Sequence, residues 1–437
     1  MKVAVIGTGI AGNYAAWKLS QAHDVTVFEA DDRIGGHTNT VDVALGNRSW
    51  AVDTGFIVFN DWTYPNFIEM LDALGVSWQD SNMSFSVKHE RTGLEYNGTS
   101  LNAHFSQRSN QFRPSFWGMI RDILRFHEQA PALLDSDTPG DLKDMPLGDW
   151  LDREGYGEAF VNHYVVPMGS AIWSATQERM RQMPVRFFVQ FFKNHGMLSV
   201  NDRPVWRVIQ GGSREYVRKL VAGHRDRIHL NAPVEAIRRL PDQVQVKVRG
   251  QDPVAFDHVF IACHSDQALA MLQDPTAAER EVLGAIAYQE NEAVLHTDAS
   301  VLPRRRLAWA AWNYHLLEQA DQPGRPAAVT YNMNILQGLD APETFCVTLN
   351  HTDAIDPARI IDTYQYSHPV FTPEAVAAQA RQREINQGNR TSYCGAYWRN
   401  GFHEDGVVSA INALEHFAED PVTLTRSHAQ RDLQRTG

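Results

Sequence analysis

The chain has 437 residues, with 40 Lys and Arg against 52 Asp and Glu, which gives a formal charge of −12 at pH 7. This acidic balance, with no basic run longer than Arg304–Arg306, excludes a protein that grips nucleic acid through clustered cations. Hydrophobic residues make up 43% and charged residues 21%, which is typical of a folded protein of two or three domains.

Hydropathy and cysteine spacing indicate where the protein works. Mean hydropathy is −0.37, and no uninterrupted apolar stretch approaches the roughly 18–20 residues that cross a bilayer. The sequence runs from Lys2 directly into an apolar strand, without the pattern of a secretory signal. Cys263, Cys346 and Cys394 lie too far apart for a redox pair or a zinc cluster. We therefore expect a cytoplasmic protein without a metal site.

The first thirty residues predict a βαβ unit. Val3–Ile6 is a short apolar run typical of a buried parallel strand, and the pattern predicts a helix over 13–22. A second strand, Val25–Glu29, ends in an acid.

Three glycines lie where the first strand turns into the helix. Gly7 permits the tight turn, Gly9 lets the backbone approach a pyrophosphate, and Gly12 allows close packing of helix on strand. Glu29 follows the first glycine by 22 residues, where a carboxylate can accept hydrogen bonds from ribose hydroxyls. Strand, helix, strand and acid together favour a dinucleotide site over a glycine-rich turn of another α/β protein.

The next segment indicates which dinucleotide binds. Its residues are Glu29-Ala30-Asp31-Asp32-Arg33-Ile34-Gly35-Gly36-His37-Thr38. This segment resembles the second fingerprint of the flavin-containing amine oxidase and phytoene desaturase superfamily. The resemblance implies FAD, bound by a Rossmann-like domain of the GR2 type that is interleaved with a mixed α+β substrate domain. Arg33 adds a cation beside the paired glycines. His37 stands where the family usually carries a second arginine; it can donate to phosphate, but its charge depends on pH.

Three later segments resemble the same superfamily, in the same order. Asp53-Thr54-Gly55-Phe56 is similar to the segment whose backbone passes the flavin ring, and Val234 to a valine that contacts adenine through its backbone. The C-terminal block, from Tyr393-Cys394-Gly395 to Gly401-Phe402-His403, is similar to the block that places a glycine by the ribityl phosphate and a helix start, including His403, at the flavin. Cys394 falls away from the position of the covalent cysteine of some members, so we predict non-covalent FAD.

The resemblance divides the chain into alternating segments. Residues 1–80, 201–265 and 386–420 are assigned to the FAD-binding domain, 81–200 and 266–385 to the substrate domain, and 421–437 to a polar tail. The sequence predicts helices and loops over 81–200, with an acidic connection over 135–146. Further strands are predicted over Val234–Ile237, Val244–Val248, 254–262, Val329–Asn332 and Phe345–Leu349, and a strand, turn and helix over Thr391–Phe417.

A finer resemblance concerns the substrate. Segments 33–40, 53–60 and 401–406 are similar to a bacterial group of NAD/FAD-binding oxidoreductases, which resembles the N-terminal region of plant cyclopropane fatty acid synthases. The resemblance implies a lipid acyl substrate and an association with fatty-acid methylation and furan fatty acid formation. The phenylalanine-rich segment Arg186–Asn194 fits an acyl tunnel or a membrane surface, but a core helix packed by aromatics is the favoured interpretation. Trp309, Trp312 and Trp398 fit either an aromatic pocket or an ordinary core.

Candidate catalytic residues come from the C-terminal block. Phe402 stands where amine oxidases carry a residue of an aromatic cage, and His403 is the best-placed titratable group, although a structural histidine fits equally well. No lysine in 286–300 corresponds to the one that many amine oxidases hold beside the flavin.

Three functions remain open from the sequence. The first is oxidation or desaturation of a lipid acyl chain by an FAD-dependent oxidoreductase. The second is an amine or amino acid oxidase, and the third is a flavin-bound isomerase or sensor without net redox turnover. The expected partner is a small molecule or lipid, with peripheral contact at the inner face of the membrane compatible with the first function. Substrate, electron acceptor, catalytic base and oligomeric state are not assigned.

Overall fold

The computed structural model describes residues 1–135, 139, 142, 145–199, 202–317, 326–420 and 423. Its strands are β1 Lys2–Ile6, β2 Asp24–Phe28, β3 Thr40–Leu45, β4 Arg48–Asp53, β5 Val58–Asn60, β6 Trp78–Asp80, β7 Phe85–His89, β8 Glu95–Asn97, β9 Trp206–Ile209, β10 Ile228–His229, β11 Val234–Arg239, β12 Val244–Val248, β13 Val254–Phe256, β14 His258–Ile261, β15 Ala287–His296, β16 Trp312–Leu316, β17 Ala328–Asn332, β18 Cys346–Leu349, β19 Ile360–Val370 and β20 Thr391–Tyr393.

Helices connect and cover these strands. The α-helices are Ile10–Leu19, Pro65–Ala73, Leu101–His104, Pro114–Gln129, Leu147–Arg153, Glu158–Phe160, Val166–Trp173, Gln177–Gln182, Val185–Asn194, Arg214–Leu220, Ser265–Met271, Ala277–Gly284, Met333–Leu336, Pro373–Gln379, Gln382–Ile385 and His403–Glu419, and Val161–Val165 is a π-helical turn. Short 3₁₀ turns are Arg108–Phe112, Ala130–Leu134, Arg225–Arg227, Ala299–Val301, Arg306–Ala308, Thr352–Ala354, Pro357–Arg359 and Ala396–Trp398.

The first sheet is parallel and has the order β10-β2-β1-β14-β20. The predicted βαβ unit is confirmed, because β1 pairs with β2 and helix Ile10–Leu19 crosses between them. Four of the five residues of β1 are buried, as expected for a central strand covered on both faces: Val3 and Val5 belong to one core cluster, and Ala4 and Ile6 belong to another. The strands come from the beginning, middle and end of the chain, so the cofactor sheet is assembled from separated segments.

The second sheet has seven strands in the order β19-β15-β18-β17-β16-β7-β8. Its strands come from residues 85–97 and 287–370, which is consistent with the interleaved substrate segments, although the exact domain boundaries stay a prediction. The sequence interpretation missed β7 and β8, because they lie in a region predicted to contain only helices and loops. Their short runs pair with each other and with β16, which is more than 200 residues away in sequence.

Two predicted boundaries are corrected by the structure. The first helix begins at Ile10 rather than Asn13, so Gly9 is its N-terminal cap residue. The strand predicted over 254–262 is two strands, and each belongs to a different sheet. β13 pairs antiparallel with β12, whereas β14 pairs parallel with β1. The break falls at Asp257, whose carboxylate accepts a hydrogen bond from the backbone N–H of Lys2 at 2.7 Å.

The phenylalanine-rich segment forms helix Val185–Asn194, with its apolar side in the core. Phe188, Val189, Phe191 and Phe192 are each no more than 2% exposed. The core interpretation is therefore confirmed, and this apolar side is not available to a membrane. In the part of the chain that the structure describes, no helix is long and apolar enough to cross a membrane. All of the predicted tail over 421–437 except residue 423, and most of the acidic connection over 135–146, lie outside the described residues.

Candidate active site

A cavity of about 370 Å³ lies between the two sheets. At one end it is lined by the glycine turn after β1, and at the other by apolar and aromatic side chains that include Trp173, Trp312, Tyr331 and Phe371. Of the predicted site residues, the lining includes Gly7, Gly9, Glu29, Gly35, Gly36, His37, Gly55, Phe56, Gly395, Phe402 and His403. The structure therefore brings residues that were predicted for the site together from four separated parts of the chain.

The glycine turn has the geometry that a phosphate site needs. Gly7 has φ of +99°, which favours glycine, and a Cβ at Gly12 would overlap the carbonyl oxygen of Gly7. A Cβ at Gly9, in contrast, would meet no atom within 4 Å, because this position opens onto the cavity. No side chain caps helix Ile10–Leu19, so its N-terminal N–H groups remain available to an anion.

Glu29 lies at the end of the cavity beyond the glycine turn. Its Oε2 accepts hydrogen bonds from the backbone N–H of Thr8, at 2.8 Å, and from the Thr8 hydroxyl, and its Oε1 accepts from the N–H of Asp31 at 3.0 Å. These contacts hold the carboxylate at the carboxyl end of β2, facing the cavity. A carboxylate in this place can accept hydrogen bonds from ribose hydroxyls.

The glycine pair Gly35-Gly36 lies directly against the first glycine turn. Gly36 has φ of +58°, and a Cβ there would lie 3.1 Å from Cα of Gly9. Arg33 does not line the cavity among the described residues; its Nη1 donates to the carbonyl oxygen of Thr38 at 3.1 Å, and its Nε lies 3.5 Å from Asp31. The Arg33 side chain thereby closes the loop that carries the glycines.

His403 is built into the wall of the site by aromatic packing. Its ring stacks on Phe56 with centroids 3.5 Å apart, and its Nε2 lies 3.0 Å from Oγ1 of Thr38 and 3.1 Å from the hydroxyl of Tyr216. Burial lowers the pKa of His403 to about 3, so the imidazole is neutral near pH 7. A neutral ring whose Nε2 already has two partners fits the structural alternative better than a general base.

Phe402 precedes helix His403–Glu419 and faces the apolar part of the cavity. Its ring stacks on Phe191 with centroids 5.2 Å apart, and the ring of His195 lies 3.8 Å from that of Phe191 and 6.1 Å from that of Phe402. The backbone N–H of Phe402 donates to Asp405 at 2.9 Å, which fixes the start of the helix. Phe402 is thus an apolar wall residue, consistent with contact to a substrate.

The remaining predicted residues lie at the edges of the cavity or behind them. Val234 starts β11 and does not line the cavity among the described residues, although Ala232 beside it donates to the carbonyl oxygen of Glu29 at 2.8 Å. Gly395 lines the cavity, where a Cβ would overlap the ring of Tyr397. Cys394 is fully buried in the core, and burial raises its pKa to about 12. The Cys394 thiol is therefore protonated and does not line the cavity, and non-covalent FAD stays a prediction.

Several lining residues were not found from the sequence. His264 follows β14, and Tyr366 and His368 lie on β19. The sequence carries no spacing signal for them, because they reach the cavity through two different sheets. Of the tryptophans considered earlier, Trp312 lines the cavity, whereas Trp398 is 3% exposed in the core.

A comparison with protein families decides the assignment. Residues 10–326 match the profile of the flavin containing amine oxidoreductase family. The chain belongs to this family. The family uses FAD, and the glycine turn, the uncapped helix start and Glu29 fit that dinucleotide. Gly7, Gly9, Gly36 and Glu29 are therefore the residues that would hold FAD at its diphosphate and ribose.

Several known proteins are similar to this chain in sequence or in fold. A Mycobacterium tuberculosis protein named as a flavin-containing monoamine oxidase, AofH, is 25% identical over 285 residues, which are 62% of this chain and 59% of that protein. The chain thus matches about three fifths of the length of this curated relative. The cyclohexylamine oxidase of Brevibacterium oxydans has a TM-score of 0.68 at 16% identity, over 96% of this chain and 98% of the oxidase. The CLA-producing fatty acid isomerase of P. acnes has a TM-score of 0.68 at 16% identity, over 95% of this chain and 98% of the isomerase. The FAD-binding fold predicted from the sequence is confirmed.

Gly9→Val tests the phosphate site. The valine side chain would project into the cavity, so we expect a folded protein that retains no FAD after gel filtration. Gly118→Ala, at another position where a Cβ meets nothing within 4 Å, is the matched control and should keep its flavin absorbance. Normal flavin content in folded Gly9→Val would contradict the assignment.

His403→Gln tests the structural role. The unfolded imidazole titrates near 6.5 and the folded one near 3, so its neutral burial stabilises the protein above about pH 6.5, and this contribution is lost as pH falls toward 3. We expect the variant to lose about 2–3 kcal/mol of unfolding free energy at pH 7 through lost stacking, and less at pH 5. Urea unfolding at both pH values measures this difference. An unchanged free energy, with an altered pH profile of flavin reduction, would instead place His403 in catalysis.

Proposed function

We propose that the protein is an FAD-dependent oxidoreductase that removes hydride from a C–H bond of a lipid acyl chain, by desaturation or oxidation. Bound FAD supplies the hydride acceptor. Membership of the flavin containing amine oxidoreductase family supports the reaction type. The acyl substrate is supported by the chemistry of the cavity wall.

The observation that carries this proposal is the lack of fixed charge around the apolar part of the cavity. Among its described lining residues there is no Lys or Arg, and Glu29, at the nucleotide end, is the one carboxylate. An amino acid substrate would need a cation for its carboxylate, and a protonated amine favours an acceptor or anion beside it. An esterified acyl chain brings no charge into the site and fits the wall that is present.

The chain's own residues would bind and orient such a substrate. Trp173, Trp312, Tyr331 and Phe371 form apolar and aromatic surface along the cavity. Ring faces of this kind favour burial of methylene groups and exclude water from the reacting carbon. Phe402 joins this wall to the start of helix His403–Glu419, next to the predicted flavin position.

The finer family resemblance points in the same direction. The segments similar to bacterial oxidoreductases and to the N-terminal region of plant cyclopropane fatty acid synthases include Phe56 and Phe402, which both line the cavity. Among structures of similar fold, the fatty acid isomerase acts on an acyl chain by its name, whereas cyclohexylamine oxidase acts on an amine. A redox-neutral isomerase of acyl chains is therefore the second candidate, and an amine oxidase is the third.

Anaerobic incubation of the purified holoprotein separates these functions. With phosphatidylglycerol or phosphatidylethanolamine bearing an unsaturated chain, we expect loss of the flavin absorbance near 450 nm, since substrate hydride reduces the bound cofactor. Putrescine and cyclohexylamine serve as amine controls and should leave the absorbance unchanged. Bleaching by amines alone would overturn the proposal. A rearranged acyl chain without bleaching, found by mass analysis, would establish the isomerase instead.

A lipid substrate requires contact with a membrane, and one exposed surface suits it. We propose that the surface formed by Phe112, Trp117 and Leu124, called here the exposed apolar face, rests on anionic phospholipid. These side chains are 80%, 51% and 55% exposed, and the last two lie on helix Pro114–Gln129.

Between positions 108 and 129 the chain carries four arginines and two acids, so this face is locally basic in a chain of charge −12. Arg125 lies 3.7 Å from Asp122, which is buried and also accepts from the N–H of Gly157, so this pair cancels and three arginines remain against Glu128. This face replaces Arg186–Asn194 as the proposed membrane contact.

The double variant Phe112→Ser/Trp117→Ser tests this contact. Loss of two aromatic side chains should weaken binding to vesicles of phosphatidylcholine and phosphatidylglycerol by about tenfold or more, measured by sedimentation. Ile361→Ser, which removes a side chain that is 40% exposed on β19, is the matched control and should bind like the wild type. Equal binding by the double variant, or equal binding to phosphatidylcholine alone, would overturn the proposed contact.

A further inference from the structure

One tyrosine places a polar atom in the apolar part of the cavity. Tyr331 lies on β17, the middle strand of the seven-stranded sheet. It lines the cavity together with Trp312 of β16 and Leu349 of β18. Its ring meets that of Trp312 edge to face, with centroids 4.8 Å apart and planes at 85°. The central strand and this aromatic contact fix the ring, and with it the position of the hydroxyl.

The hydroxyl of Tyr331 has no protein partner, yet a ligand can reach it. It makes no hydrogen bond to a described residue, and it is not among the buried polar atoms that are shielded from solvent. The residue as a whole is only 9% exposed, so its ring is enclosed. A side chain that is nine-tenths buried, with an accessible and unpaired donor on a cavity wall, favours a ligand that accepts a hydrogen bond.

The other tyrosines of the described cavity lining differ from it. The hydroxyl of Tyr366 lies 2.9 Å from a threonine hydroxyl, and that of Tyr288 donates to Oγ of Ser265 at 3.2 Å. The hydroxyl of Tyr397 has no partner, but it is shielded from solvent and cannot contact a ligand. None of these three hydroxyls is both unpaired and accessible.

The polar groups next to Tyr331 on its strand are satisfied on the opposite face of the sheet. Successive side chains of a strand point to opposite faces. Oγ1 of Thr330 accordingly lies 2.8 Å from Nε2 of His315 and 2.8 Å from Oγ1 of Thr348. Burial alone raises the pKa of Tyr331, without a contribution from any charged group. Its hydroxyl therefore keeps its proton near pH 7 and can act as a donor.

A free donor in an apolar cavity discriminates between ligands. In the free protein such a hydroxyl is satisfied by solvent. A pure hydrocarbon that fills the cavity excludes that solvent and leaves the donor unpaired, which costs free energy. A ligand with an acceptor oxygen at the same place replaces the lost hydrogen bond. One neutral hydrogen bond of this kind changes affinity by about three- to tenfold.

We propose that Tyr331 is a specificity-determining residue that donates a hydrogen bond to a neutral oxygen of the acyl substrate, either its ester carbonyl or an oxygen within the chain. The oxygen is a neutral one because the described lining holds no Lys or Arg to pair with a carboxylate. Tyr331 makes and breaks no covalent bond, so it positions the chain. This inference rests on the proposed function and deepens it, since it selects acyl chains that carry an oxygen over plain hydrocarbon.

Binding of three small ligands to the oxidised holoprotein measures this preference. Methyl octanoate carries an ester carbonyl, 5-nonanone carries a carbonyl within its chain, and nonane carries no acceptor. Each ligand is titrated against wild type and Tyr331→Phe, and the shift of the flavin absorbance bands gives the Kd without any turnover. The two proteins and the ligand pairs form a double-mutant cycle, which separates the hydrogen bond from packing.

Tyr331→Phe should raise the Kd of at least one oxygen-bearing ligand by about three- to tenfold. The Kd of nonane should stay unchanged or fall, because the variant has no hydroxyl to leave unpaired. A rise for methyl octanoate assigns the ester carbonyl, and a rise for 5-nonanone assigns an oxygen within the chain. Equal changes for all three ligands would mean that Tyr331 acts only through packing and would overturn the proposal, as would no change for any of them.

Two further variants show that the effect belongs to this hydroxyl. Tyr314→Phe is the matched control, because Tyr314 is 2% exposed on β16, does not line the cavity, and has its hydroxyl 3.5 Å from Nε2 of Gln177. It should bind all three ligands like the wild type. Ser174 also lines the cavity and carries a hydroxyl. A preference for oxygen that is lost in Ser174→Ala but kept in Tyr331→Phe would assign the donor to Ser174 and overturn the proposal.

Failure of this inference differs from failure of the proposed function. The titrations report the preference of the cavity for an oxygen acceptor, whereas anaerobic bleaching reports the reaction of a phospholipid with the flavin. Bleaching by phospholipid without a preference in the titrations would remove the role of Tyr331 and leave the lipid oxidation in place. A preference that depends on Tyr331, without bleaching, would keep the hydrogen bond and remove the oxidation.

Discussion

The buried carboxylate of Asp53 joins the segments on which the active site depends. It accepts hydrogen bonds from the N–H of Ser213 at 2.9 Å and from its hydroxyl at 2.8 Å, and also from the hydroxyl of Thr40 and Nε2 of Gln337 at 2.8 Å. Gln337 also accepts from the N–H of Asp53 at 2.9 Å, so the contact with the substrate segments is reciprocal. Burial raises the pKa of Asp53 to about 6, while these donors act against burial. A fully buried carboxylate needs all of these hydrogen-bond donors. The segments that carry Thr40, Ser213 and Gln337 are therefore held in one arrangement around Asp53.

This arrangement sets the position of the residues that follow Asp53. Gly55 packs so closely on the carbonyl oxygen of His37 that a Cβ would overlap it, and Phe56 donates its N–H to the same oxygen at 2.8 Å. Phe56 then stacks on His403. The end of β4, the loop of Gly35-Gly36 and the start of helix His403–Glu419 therefore contact one another in sequence. Displacement of one of them would disturb the wall of the cavity at all three places.

The parts of the site that could be predicted from sequence are those set by local backbone geometry. Gly7, Gly9 and Gly12 act within one turn, so their spacing carries the information by itself. The role of His403 could not be read in the same way, because it depends on Phe56 and Tyr216, which reach it through tertiary packing. His264 and His368 are similar cases, since two sheets must fold before they meet. The break at Asp257 was missed because β13 and β14 follow each other in one largely apolar stretch and are separated only by their pairing with different strands.

The absence of fixed charge from the apolar part of the described cavity limits what can bind there. The glycine turn and the uncapped start of helix Ile10–Leu19 offer backbone N–H groups to an anionic diphosphate without placing a Lys or Arg among the described lining residues. The wall at the other end can therefore stay apolar and aromatic while the same cavity takes a charged cofactor. This separation of charge within one cavity belongs with the uncharged substrate that the cavity is proposed to bind.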